Sequence, residues 1–106
     1  NKKLVILISS ESSSAAEMFA AILQKQKQAI VMGSQSSGLV LNSIKIPLEP
    51  YFTQSIPICD VKIIGYDRIE GKGVLPDVIF DNHVVEEKDF DKDVVLDTAI
   101  KKLNEK

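Results

Sequence analysis

The sequence predicts an α/β domain built on a parallel β-α-β unit. Three observations predict it: two short apolar runs of branched residues, a helical stripe between them, and a serine-rich segment after each run. The first run, Leu4-Val5-Ile6-Leu7-Ile8, is continuous rather than alternating, the pattern of a strand covered on both faces. Ala15, Met18, Phe19, Ile22 and Leu23 then recur at helical spacing and predict an amphipathic helix ending near Gln26. Ala29-Ile30-Val31-Met32, stopped by Gly33, is the second expected strand. So short a helical crossover places the two strands parallel in one sheet, with a right-handed connection. Ligands in such sheets gather at the carboxyl ends of the strands. That edge carries Ser9-Ser10-Glu11-Ser12-Ser13-Ser14 and Ser34-Gln35-Ser36-Ser37-Gly38, so both loops are expected to line one site.

Pro47, Pro50 and Pro57 interrupt the middle of the chain, which favours brief strands and turns over helix. Ile44-Lys45-Ile46 and Val61-Lys62-Ile63-Ile64 are the strands expected there. Glu70-Gly71-Lys72-Gly73-Val74-Leu75-Pro76-Asp77 reads as a tight connection into a last short strand, Val78-Ile79-Phe80. Asp93 is placed to cap a final helix with Leu96, Ala99, Ile100 and Leu103 as its buried stripe. Asp97 and Lys101 stand at pairing distance on that helix, and the terminal lysines suit the negative end of its dipole.

The chain has 106 residues, 13 Lys plus Arg against 15 Asp plus Glu, and 44% apolar residues, which describes one globular unit. A net charge of −2 with no cationic run longer than a pair supplies no field for nucleic acid or anionic lipid. The longest apolar run is far short of the roughly 20 residues that span a bilayer. The opening Asn1-Lys2-Lys3 enters the first strand directly, without an initiator Met or a cleavage pattern, so residues 1–106 are expected to be part of something longer. A β-α-β unit taken from its surroundings leaves apolar faces and strand edges open, and self-association is expected. Cys59, the only cysteine, has apolar neighbours and is expected to be a small core residue.

Ser14-Ala15-Ala16-Glu17 has the spacing of a helix capping box. The same placement sets a serine hydroxyl beside the free N–H groups of a first helical turn, which can hold an oxyanion, a geometry that suits acyl transfer. Ser9, Ser10, Ser12 and Ser13 read as loop hydroxyls satisfying local backbone, with Ser13 the alternative attacking residue. His83, among turn formers, reads as an exposed loop histidine, and Asp81 with His83 supplies too few ligands for zinc. Lys72 reads as a solvated turn cation. Tyr51, Phe52 and Tyr66 are expected to pack in the core or on a sheet. No metal or cofactor is expected.

Ser12-Ser13-Ser14-Ala15-Ala16-Glu17-Met18-Phe19-Ala20, then Ala29-Ile30-Val31-Met32-Gly33, then Glu70-Gly71-Lys72-Gly73-Val74-Leu75-Pro76-Asp77 resembles the C-terminal processing, or tail-specific, peptidase family. The ending Asp93-Val94-Val95-Leu96-Asp97-Thr98-Ala99-Ile100 is similar to the family's as well. The resemblance covers nearly the whole chain and implies a serine peptidase with a crotonase/ClpP-like α/β core, of which residues 1–106 would be the C-terminal portion.

Carried onto this sequence, the resemblance places the nucleophile on Ser14, an oxyanion donor on the N–H of Ala15, and a supporting role on Glu17. In the branch that uses a serine–lysine dyad, the lysine follows a Phe-Gly pair; the matching residues here are Ser37-Gly38-Leu39, and Leu39 takes no proton. None of Lys25, Lys27 or Lys45 has the context to replace it. The chain is more similar to the tricorn-like branch, in which a histidine is the base and a glutamate orients it. That glutamate falls on Glu70, and the histidine would come from the missing N-terminal part. The resemblance thus implies peptide-bond hydrolysis through an acyl-enzyme on Ser14, a polypeptide substrate, an extracytoplasmic location, and an inactive isolated chain. The replacement by Leu39 keeps a second reading open, a non-catalytic module of the same fold that binds a peptide or an apolar ligand.

Overall fold

A computed structural model describes residues 3–80 and 93–105. Asp81 and His83 lie outside the described residues. Strand β1 (Val5–Ile8) leads through helix α1 (Ala15–Lys25) into strand β2 (Ile30–Gly33), and the two strands pair in parallel from Val5 opposite Ile30 to Ile8 opposite Gly33. This is the expected β-α-β unit. An antiparallel hairpin follows, strands β3 (Asn42–Leu48) and β4 (Phe52–Cys59), forming a sheet of its own. The chain then returns to lay the short strand β5 (Val78–Ile79) parallel to β2 on its free side, giving the order β1-β2-β5. Asp77 fastens that return: its Oδ2 accepts the N–H of Val31 at 2.8 Å, and its own N–H donates to the Val31 carbonyl at 2.8 Å.

Helix α2 (Val94–Asn104) starts where expected, with the Asp93 carboxylate accepting the N–H of Leu96 at 2.9 Å, and it packs against β1 and β2. Its predicted stripe is corrected: only Ala99 is buried, while Leu96, Ile100 and Leu103 stay exposed. The ion pair formed on it joins Lys102 to Glu105 rather than Asp97 to Lys101. No helix among the described residues is long and apolar enough to cross a membrane.

The core unites Ile8, Ala20, Ala21, Val31, Val40, Ile69 and Val74, with Ile6, Met18, Ile63 and Tyr66 packed at its margin. The helix face that enters it is rotated from the predicted stripe, of which Met18 packs on the core margin and Leu23 is half-buried. Helix α1 buries Glu17, Ala20 and Ala21, whereas Phe19 is 57% and Ile22 40% exposed. At ~100° per residue these two sets lie on opposite sides of the helix. The sheet takes the alanines because small side chains let the helix approach closely.

The middle of the chain departs from expectation in four places. β4 is a full strand despite Pro57, which pairs with Ser43 beside a register irregularity at the root of the hairpin, where proline is tolerated. Residues 61–64 are not a strand; Ile63 packs on the core margin and its carbonyl accepts the Tyr66 N–H at 3.0 Å, which closes a turn. Cys59 is exposed, because none of the described residues forms a layer over the hairpin. Tyr51 and Phe52, at the hairpin tip, are exposed for the same reason, while Tyr66 is partly buried with its hydroxyl donating to Gln24 at 2.6 Å.

Candidate active site

Between β1 and α1 the chain must reverse direction, and Ser14 makes the last bend with φ 57° and ψ −125°. A residue with a Cβ pays about 1–3 kcal/mol for such backbone, and such outliers concentrate at functional sites. Two acceptors hold it there: the Ser14 N–H lies 2.9 Å from the Leu39 carbonyl and 3.0 Å from Glu17 Oε2. Only the glutamate arm of the capping box is strongly made. The N–H of Glu17 donates to the Ser14 carbonyl at 3.0 Å, and the serine side chain, although placed for the box, forms no cap hydrogen bond. Ser14 is therefore an exposed hydroxyl on a fixed, strained backbone. Ala15, the first helical residue, has no intrahelical partner for its N–H.

Glu17, fully buried, organises the surroundings. Its Oε1 accepts the Ser36 hydroxyl at 2.5 Å and the Gly38 N–H at 2.7 Å; its Oε2 accepts the N–H groups of Leu39 at 2.9 Å and Ser14 at 3.0 Å. Burial pushes this carboxyl up, but the hydrogen bonds from Ser36, Gly38, Leu39 and Ser14 outweigh it and hold the pKa below the usual glutamate value. A charge with this many donors is stable inside the fold.

Glu70 reaches the same segment from the other side. Its Oε2 accepts the N–H groups of Val40 at 2.8 Å and Leu41 at 3.2 Å, and its Oε1 makes no hydrogen bond among the described residues. Two carboxylates thus bind four successive amides, residues 38–41, while the carbonyls of Gly38 and Leu39 accept the N–H groups of Gly71 and Ser14. Ser14 and Glu70, distant in sequence, are fastened to one short stretch of chain. The two serine-rich loops also meet, since the Ser37 N–H and hydroxyl both donate to the Ser12 carbonyl, at 3.0 and 2.8 Å.

The approach of residues 34–38 to the turn 69–74 requires glycine. Gly73, at φ 79°, would place a Cβ 2.2 Å from the Ser36 carbonyl oxygen, and Gly38, at φ 72°, would place one 2.7 Å from the Gly73 nitrogen. Sequence reading singled out neither Ser36 nor the pairing of Gly38 with Gly73. Their signal, a small hydroxyl and a glycine in one loop facing a two-glycine turn, becomes meaningful only once the loops are known to touch.

Leu39 leaves its side chain 62% exposed while both its backbone groups are bound beside Ser14. Lys25 is held away, donating to the Gly65 carbonyl near the opposite end of α1, and Lys45 stands on the hairpin. Among the described residues no group of three or more His, Cys, Asp and Glu side chains is arranged to hold a metal ion. A concavity of about 800 Å³ lies around Lys3, Gln28 and Ala29 at the amino ends of β1 and β2, away from Ser14.

A comparison of families matches residues 1–80 to peptidase family S41. The chain belongs to that family. No curated protein sequence matches it. Among solved structures, the photosystem II D1 C-terminal processing protease is 25% identical with a TM-score of 0.65, over 79% of this chain and 22% of that one. Mature CPAF is 20% identical with a TM-score of 0.65, and mature CPAF complexed with lactacystin has a TM-score of 0.58 at 20% identity; each likeness covers 71% of this chain and 15% of that one. The CPAF likeness bears on fold alone. This S41 chain therefore has the family's α/β fold and spans less than a quarter of the length of these solved relatives.

Proposed function

We propose that the chain is the C-terminal portion of a serine peptidase domain and carries its nucleophile. Ser14 Oγ attacks the scissile carbonyl, its proton passes to a histidine supplied by the N-terminal part of the parent protein, and the Ala15 N–H donates a hydrogen bond to the tetrahedral oxyanion. The protonated base then returns its proton to the leaving amine, and water releases the acyl group by the same route. Glu70 fits the orienting role because Oε2 is anchored by the Val40 and Leu41 amides, which leaves Oε1 for an imidazole N–H. The substrate class is polypeptide, and the family points to an extracytoplasmic site of action. The observation that carries this reading is the strained, exposed Ser14 held by Leu39 and Glu17.

A fluorophosphonate probe applied to the complete protein tests it. Labelling at Ser14 that disappears in Ser14→Ala supports the peptidase. Labelling that persists in Ser14→Ala refutes it. The isolated chain, without a base, is expected to be unreactive, since a serine hydroxyl alone is a weak nucleophile at neutral pH. The second reading, a non-catalytic binding module, draws on exposed Leu39 at the dyad lysine position, and predicts peptide binding by the complete protein without any labelling.

A further inference from the structure

Ser36 lies in the loop after β2 and is 6% exposed. Its hydroxyl donates to Glu17 Oε1 at 2.5 Å and accepts the N–H of Val74 at 2.7 Å, while its own N–H donates to the Val74 carbonyl at 3.2 Å. From there the connections run two ways. Glu17 Oε2 holds the Ser14 N–H, and Val74 ends the turn whose Lys72 and Gly73 amides fold back on the Ile69 carbonyl, immediately before Glu70. One buried hydroxyl therefore joins the support of Ser14 to the turn that presents Glu70. Its single proton and one acceptor position are both used, so the link has a defined direction.

We infer that Ser36 is a positioning residue for peptide hydrolysis, setting the Ser14 hydroxyl and the Glu70 carboxylate at their working separation through Glu17 and Val74. The inference rests on the roles proposed above for Ser14 and Glu70. Removing the hydroxyl leaves the Val74 N–H without its acceptor and takes one donor from Glu17, so the loops keep the Ser36–Val74 and Gly71–Gly38 backbone bonds but lose the side-chain link that ties the turn to Glu17. A displacement of about 1 Å in such a site costs up to ~100-fold in rate. Ser36 is buried and has no part of its own in the proposed attack, so the expected effect falls on kcat rather than on KM.

The test is made in the complete protein with Ser36→Ala, Ser36→Cys and Ser36→Thr, each rate normalised to the fraction of molecules titrated by the fluorophosphonate probe. The expected result for Ser36→Ala is a fall in kcat of about tenfold or more with KM within about twofold of wild type. The acid limb of the pH–rate profile also moves to lower pH, because a base that has lost its carboxylate partner protonates less readily. Ser36→Thr, which keeps the hydroxyl, restores both quantities, and Ser36→Cys, with a weaker donor, falls between and carries the test if the alanine variant does not fold. Wild-type kcat and pH profile per titrated site in Ser36→Ala or Ser36→Cys overturn the inference, as does a change confined to KM. If probe labelling survives Ser14→Ala, the underlying peptidase reading has failed instead, and a failure of Ser36 alone leaves that reading standing.

Discussion

At Ser14 the backbone and the hydroxyl have opposed requirements. Its φ of 57° suits glycine, while the proposed chemistry needs an oxygen at this position. Ser14→Gly is expected to stabilise the fold by about 0.5–1 kcal/mol relative to Ser14→Ala while abolishing labelling, measured as urea midpoints of the two variants. Equal midpoints would mean that the bend stores no strain. Glu17 makes a second prediction. A carboxyl whose folded pKa lies below its unfolded value contributes stability that is complete above the unfolded value, near 4.5, and is lost as pH falls through the lowered folded pKa. Glu17→Gln is expected to cost about 1–3 kcal/mol at pH 7, the scale for buried polar groups left poorly paired. That cost should shrink as the medium is acidified below about pH 4.5, a trend visible in paired denaturation curves. A constant difference across pH would show that the charge of Glu17 is not what holds the loop. Capping-box spacing made the relation of Ser14 to Glu17 legible in the sequence, and the β-α-β order placed the loop of residues 34–38 on the same edge, but no local pattern announced that Ser36, Gly38 and Leu39 would donate to Glu17.

At the level of elements, the hairpin and the body are held by different means. β2 is paired on both sides and lies under α1, whereas the β3–β4 ribbon has two strands and, among the described residues, no covering layer. Two-stranded ribbons are marginal alone. Ile44, Ile46 and Leu48 alternate on one face opposite Ile56, Gln54 and Phe52, a stripe apolar but for Gln54, of which only Ile56 is partly shielded. Hydrogen exchange on the isolated chain should therefore show the amides of β3 and β4 exchanging far faster than those of β2. Comparable protection in both would contradict this ranking. The parallel pairing of the first two strands and the β-α-β crossover were readable because continuous apolar runs flanking a helical stripe admit few arrangements. The inward face of α1 was not: ranking side chains by hydrophobicity selects Phe19 and Ile22, while close packing on a sheet selects Ala20 and Ala21. β4 was hidden by Pro57, which disqualifies a central strand and is tolerated at the root of an exposed ribbon.

The whole molecule is extended for its size. Its radius of gyration is 17.0 Å, against ~13 Å for a compact chain of this length. Phe19, Ile22, Phe52 and Ile58 contribute exposed apolar surface on two separate parts of it. The isolated chain is expected to self-associate as concentration rises, seen as a growing mass in light scattering, and Phe19→Ser with Ile22→Lys should reduce that growth. A monomer at high concentration that binds little apolar dye would contradict the expectation. The dependence of the proposed chemistry on a base from outside residues 1–106 belongs to the same scale, since in that proposal Ser14 and Glu70 stand on one edge of a domain that the parent protein completes.

Because residues 38–41 already spend every main-chain donor on Glu17 and Glu70, an incoming polypeptide finds no amide there to dock against in ladder fashion. On the proposed peptidase reading, the register of a bound polypeptide would be set through side chains such as Leu39, through carbonyl oxygens, or by residues outside 38–41.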